Sequence, residues 1–238
     1  MGGEDNIELY DGFEEDSLSE IWKQTKFEKG AVEFQSEIVR KGKKALKITI
    51  HKGDKTEQGN KHYKTSERDE LLERKDYGPK EGKGYSYSFS IYLPKDFPIV
   101  PTRLVLAQWK QDEKDDKVLF NNPIIALRYV NGELFITLQT GDWKERIKLF
   151  KTNEEIRGKW LDFLFNLKFA RTKSGFVKVW MNDKEIISYK GITAYSESCG
   201  YSKPGEFYFK MGLYRDTMDE PMTAYFDEFR KISLKGKK

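Results

Sequence analysis

In FYFKMGLYR, running from Phe207 to Arg215, a lysine and a tyrosine stand two positions either side of a glycine. With the period of two of a strand, Phe207, Phe209, Met211 and Leu213 share one face and suit a core. The other face carries Tyr208, Lys210, Gly212 and Tyr214. It offers a cation for an anionic ligand and a phenol that is either structural or chemical. The missing side chain of Gly212 leaves room for something to lie against the sheet. Upstream, GNKHYKTSERDELLER (Gly59 to Arg74) holds His62 and alternates Arg68 and Glu70 against Glu67 and Asp69. A lone histidine is more often structural or exposed than catalytic. An arginine flanked by carboxylates is either a held ion pair or a rigid fork for a substrate carboxylate. Gln108, in VLAQWKQ, follows Leu104 and Leu106 in register and is expected to share their face. It is then a hydrogen-bonded structural amide or a polar group turned toward a site.

The density of acidic residues raises hydrolysis by paired carboxylates, for which Glu67, Asp69 and Glu73 are the nearest candidates. Their spacing fits poorly, because Arg68 and Glu70 occupy positions that should be apolar. Phosphate-cradling glycine loops, HExxH, paired-cysteine zinc motifs and nucleophile elbows are all absent. Cys199 is the sole cysteine, so an intrachain disulfide is excluded, and a packed or idle thiol is expected there.

These residues sit on strands. KALKITI, YSYSFSIYL, RLVLAQW, PIIALRYV, ELFITLQT, WLDFLFNLKFA, GFVKVWM and TAYFDEFRKISL all carry strand patterns. Asn131-Gly132 and Asn182-Asp183 mark hairpin turns, and Thr172 to Gly175 joins two more strands. SLSEIW and TNEEIRGKW suggest short turns at most. In YSYSFSIYL the serines, Ser88 among them, share a face opposite Tyr85, Tyr87, Phe89 and Ile91. Beside the Lys210 face they would form a shallow hydrophilic trough; the alternatives are a plain solvent-facing strand or a covered one. With 238 residues, 37% hydrophobic and 14% aromatic, the chain can fill a sizeable core, and a single sandwich or jelly-roll domain over residues 1–238 is expected. The net charge of +4 is too mild to argue for nucleic acid. No apolar run approaches the roughly 20 residues needed to span a membrane.

Together, TSERDEL, LVLAQWKQ, KWLDFLFNLKFARTKSGFVKVWMND, FYFKMGLYR and AYFDEFRKI occur in an order that resembles the heparin lyase I-like polysaccharide lyases, a group that includes glucuronan lyases. The resemblance covers residues 60 to 232. It implies an all-β jelly roll (a concanavalin A-like sandwich) whose concave sheet holds an anionic polysaccharide, cleaved by β-elimination. Tyr214 then matches the catalytic tyrosine, Gln108 the amide that contacts the substrate carboxylate, and Arg68 the arginine of the TERxEL-like segment. Lys210, Tyr208, Ser88 and Trp109 become substrate-binding candidates. The heparin-cleaving members carry a histidine where this chain has Ala107, whereas glucuronan-type members use an upstream histidine that His62 could supply. That departure and the mild charge point to a non-sulfated polyuronate. A phenol with an ordinary pKa near 10 is a poor base at neutral pH, but cations such as Lys210 or Arg68 favour its anion. A structural Ca2+ is implied by the fold alone, with Asp227 and the segment around Asp11 as candidate ligands, and no organic cofactor is expected. The opening MGGEDN lacks a signal-peptide pattern and looks trimmed, so the missing signal does not establish a cytoplasmic protein; a secreted or periplasmic location and a monomeric state are expected. The rival readings are a non-catalytic carbohydrate-binding sandwich and, behind it, a glycoside hydrolase of the same fold.

Overall fold

The protein's structure, a computed structural model, describes residues 8–23, 27–54, 65–112, 122–140, 146–201 and 204–235. Among the described residues, fourteen strands form two antiparallel sheets that pack as a β-jelly roll. Six build the sheet that matters for function, in the spatial order β4 (Ser66–Leu72), β13 (Phe207–Asp216), β6 (Leu104–Gln111), β7 (Ile125–Val130), β8 (Glu133–Gln139) and β9 (Arg146–Thr152). The other sheet runs β12 (Lys184–Gly191), β11 (Gly175–Met181), β10 (Trp160–Lys168), β5 (Gly84–Tyr92), β14 (Met222–Leu234), β3 (Ala45–Ile50) and β2 (Val32–Gln35). β1 (Glu8–Asp11) pairs with the far half of β14.

The turns form where the sequence places them. Asn131 and Gly132 take φ of 51° and 82° between β7 and β8, and Asn182 and Asp183 take 49° and 63° between β11 and β12. These left-handed pairs match the right-handed twist of the strands they join. The segments SLSEIW and TNEEIRGKW form no helix.

Between the sheets lies an aromatic core. Phe207, Phe209, Met211 and Leu213 are buried on one face of β13, as the alternation requires. Trp109 is wholly buried, with ring centroids 4.7 Å from both Phe165 and Phe209. Its proposed place among the sugar-binding residues is therefore corrected: it points inward, away from the neighbouring Gln108. Ser88 is corrected too. The alternation in β5 is real, since Tyr85, Tyr87, Phe89 and Ile91 are all core. However, β5 pairs with β10 and β14 in the opposite sheet, so its serines face out on the far side from Lys210. Periodicity tells which face a side chain takes but not which strand lies next to it.

Candidate active site

A groove of about 450 Å³ crosses the outer face of the six-stranded sheet. Antiparallel register assembles its centre. Tyr214 on β13 lies opposite Arg68 on β4, Gly212 opposite Glu70, and Lys210 opposite Gln108 on β6. Residues far apart in sequence thus share one face with their neighbours one strand spacing away. Arg68, Gln108, Lys210, Tyr208 and Tyr214 all line the groove, and His62 lies outside the described residues.

Gln108 reaches the groove by a route that simple alternation misses. Leu104 and Leu106 are core residues, so an uninterrupted strand would turn Gln108 inward with them. The pairing of β6 slips between Val105 and Ala107 against β7, and between Met211 and Tyr214 against β13. A bulge of this kind puts the residues beyond it out of phase. Gln108 therefore does not share the face of the leucines, and its amide enters the site.

Glu70 organises the groove floor. It is fully buried, accepts a short hydrogen bond from the Gln108 side-chain amide and stands 3.0 Å from Arg68 Nε. The amide keeps a second N–H for a ligand. Lys210 is 5% exposed, and its pKa falls to about 8. Burial causes the fall; the charge of Glu70 opposes it, while Arg68 and Lys23 add to it.

The Tyr214 ring sits between two guanidiniums, with Arg68 at 4.1 Å and Arg103 at 4.3 Å from its centroid. Arg103 is fixed by Asp216 through Nε and Nη2, at 3.0 and 2.7 Å. Burial alone would lower the Arg103 guanidinium, but its interactions with Asp216 and Tyr214 raise it. Two positive charges thus flank the ring on which negative charge develops when the hydroxyl gives up its proton. Tyr208 carries Lys210 and Lys110 above its ring at 5.7 and 6.0 Å.

Three groove arginines escaped the sequence reading: Arg103, Arg128 and Arg146. Arg128 left a signal, a charge in the middle of the apolar strand IALRYV. Arg103 and Arg146 left none, because arginine near a strand end is ordinary.

The carboxylates considered for hydrolysis are elsewhere. Glu67, Asp69 and Glu73 face the interior, fully or almost fully buried. Glu67 pairs with Arg215 at 2.7 Å and Glu73 with Lys231 at 2.6 Å. Asp69 has no donor to either oxygen among the described residues, and burial followed by the charge of Asp54 pushes its pKa to about 9. None of the three meets the groove. Cys199 is buried, as a packed thiol should be.

Each candidate calcium ligand already accepts three hydrogen bonds. Asp227 accepts backbone N–H groups from Arg40, Lys41 and Glu228 at 2.9, 3.2 and 2.7 Å. Asp11 accepts from Phe13 N, Ser19 Oγ and Trp22 Nε1 at 2.8, 2.7 and 2.8 Å. Carboxylates that point at N–H and O–H donors do not fit a hard cation, which needs converging oxygens. No group of three or more potential metal ligands occurs among the described residues.

No curated protein matches the sequence. Among solved structures, the endo-β-1,4-glucuronan lyase of the fungus Trichoderma reesei superposes with a TM-score of 0.72 at 18% identity, over 95% of each chain. The family 7 alginate lyase A1-II′ in complex with a product gives 0.59 at 12%, over 87% of this chain and 85% of that one. The alginate lyase AlgAT5 gives 0.59 at 14%, over 87% and 84%. At these identities the likeness establishes the fold. The sequence itself settles the family: a polysaccharide lyase model matches residues 8–230, nearly the whole length, and the chain belongs to the polysaccharide lyases.

Proposed function

We propose that the enzyme cleaves a non-sulfated, glucuronan-like polyuronate by β-elimination, with Tyr214 as the proton-transferring group. One observation carries the reading: the Tyr214 ring held between Arg68 and Arg103, beside the Gln108, Glu70 and Lys210 cluster in a cationic groove. Removing the C5 proton of a uronic acid places negative charge beside a carboxylate that is already negative. Gln108 and Lys210 are positioned to bind that carboxylate and draw the charge off, which is the largest electrostatic demand of the reaction. The C5–H bond then breaks, its electron pair forms the C4–C5 double bond, and the C4–O4 bond breaks with a proton delivered to O4. Tyr214 can take the first proton and return it to the leaving oxygen when both lie on one side of the sugar. His62 is the other candidate for the base. Acid–base chemistry of this kind needs no organic cofactor.

The preference for glucuronan rests on Ala107, which replaces the histidine of heparin-cleaving members, and on the likeness to the fungal glucuronan lyase. A substrate of this class fits a secreted or periplasmic monomer. The binding-module and hydrolase readings are not favoured, the latter because its carboxylates are turned into the core.

The test is ultraviolet absorbance during incubation with glucuronan, alginate, pectate, hyaluronan and heparin separately. Elimination leaves a double bond conjugated with the carboxylate, so absorbance should rise with glucuronan. Tyr214→Phe should lower kcat by about 10²–10⁴-fold with binding largely kept. New reducing ends without the chromophore would overturn the reading.

A further inference from the structure

Among the described residues, Asp216 is the one acid lining a groove that carries six cationic side chains. Its side chain is 50% exposed, whereas Glu70 is fully buried. A carboxylate open to the groove repels an arriving polyanion and offsets the cation beside it. Affinity for a polyuronate is therefore lower with Asp216 than without it. Nor does stability explain the residue, since an ion pair this exposed adds little to the folded state. What Asp216 contributes must lie in what it holds.

It holds Arg103. Both Nε and Nη2 of the guanidinium donate to one carboxylate oxygen, Oδ1, at 3.0 and 2.7 Å. The Asp216 backbone N–H donates to the Arg103 carbonyl at 3.1 Å. The last residue of β13 and the residue just before β6 are thus tied through main chain and side chain together. That grip sets the guanidinium on the Tyr214 ring, 4.3 Å from its centroid. Arg68, at 4.1 Å from the same centroid, has a keeper of its own, with Nε 3.0 Å from Glu70. A long arginine left unheld turns its prongs to the best planar anion within reach, and in this groove that is a substrate carboxylate. Such a move takes one of two positive charges away from the ring on which negative charge develops.

We propose that Asp216 is a positioning residue for the elimination. It keeps Arg103 against Tyr214 and away from the sugar, so that the enzyme gains rate and gives up affinity. Arg103 then acts on the proton-transferring tyrosine and not as a ligand of the substrate carboxylate. This inference rests on the reading of Tyr214 given above and deepens it.

The experiment compares Asp216→Asn, Asp216→Glu, Arg103→Met and the double variant Asp216→Asn/Arg103→Met with the parent. It measures thermal stability, kcat and KM on glucuronan, and calorimetric binding of glucuronan oligomers in a Tyr214→Phe background. Asp216→Asn should lower kcat by about tenfold, while KM and oligomer Kd stay level or fall by about threefold. Asp216→Glu, which restores the charge on a longer stem, should recover part of kcat. In the Arg103→Met background Asp216→Asn should cost no further kcat, because its effect runs through the arginine. The proposal is overturned by a kcat within about twofold of the parent in Asp216→Asn, by a rise in KM and Kd, or by an equal loss of kcat in both backgrounds. A Tm lowered by several degrees, or failure to fold, would mark a structural residue and overturn it too. If Tyr214→Phe alone keeps the parental kcat, or the parent releases no chromophore, the tyrosine reading itself falls and this one with it. Loss of kcat in Tyr214→Phe without loss in Asp216→Asn sinks this proposal only.

Discussion

Lys210 shows how a single side chain can link activity and stability with opposite signs. Its folded pKa of about 8 lies below the ordinary value of 10.5 because burial disfavours its charge. Between those two values the unfolded chain binds more protons than the folded one, so this group makes the protein more stable as pH rises from 8 toward 10.5. Below pH 8 the buried charge costs roughly 3 kcal/mol. Binding of a substrate carboxylate runs the other way, since it needs the ammonium. We therefore expect kcat/KM to decline above about pH 8, with the corresponding inflection in kcat moved higher once a bound carboxylate stabilises the charge. Lys210→Met should be more stable than the parent below pH 8, with the gap closing toward pH 10.5. It should also lack the alkaline inflection in kcat/KM. Thermal melts and rate profiles from pH 6 to 10 check both arms; an alkaline inflection that survives in Lys210→Met would assign it to another group.

At the scale of strands, the site depends on how closely β13 approaches β4. Gly212 has φ of 147°, and a Cβ there would lie 2.3 Å from the Asp69 carbonyl oxygen and 2.7 Å from Glu70 Cα. The glycine thus serves the contact between two backbones, and not, as its place between Lys210 and Tyr214 suggests, the approach of a ligand. Gly212→Ala should cost roughly 2–4 kcal/mol and separate Tyr214 from Arg68, lowering Tm by several degrees and kcat with it. A variant with parental Tm and activity would show that the strands can part freely here. The same pair of strands shows what was legible in the sequence. Alternation correctly assigned both faces of β13 and placed Arg68 and Glu70 together, and paired Asn, Asp and Gly residues located two hairpins. Gln108 was placed on the wrong face because a bulge is a property of pairing, and nothing in LVLAQWKQ announces that its register slips. Ser88 was assigned to the wrong sheet for a related reason, since strand neighbours are set by long-range packing. The convergence of Arg103, Arg128 and Arg146 was illegible because it joins the ends and middles of three strands.

Across the whole molecule, a net charge of +4 conceals a strongly uneven distribution. Among the described residues outside the groove, many charges are paired: Arg215 with Glu67 and Lys231 with Glu73 inside, Arg40 with Asp162 and Lys47 with Glu33 outside. The groove instead gathers Arg68, Arg103, Lys110, Arg128, Arg146 and Lys210 around two acids, Glu70 and Asp216. Recessed like charges between low-dielectric walls focus their field outward, which raises the local concentration of a polyanion and speeds its capture. Such steering is long-range and screened, because the Debye length falls from about 30 Å at 0.01 M salt to about 3 Å at 1 M. The proton transfers take place among groups in close contact, where salt screens little. Raising ionic strength from about 0.01 to 0.5 M should therefore raise KM for glucuronan by about tenfold while kcat moves little. Initial rates over a salt series provide the measurement, with Arg128→Met expected to show a shallower dependence of KM. A KM that stays flat across the series would mean that the groove's cations are neutralised before the polymer arrives.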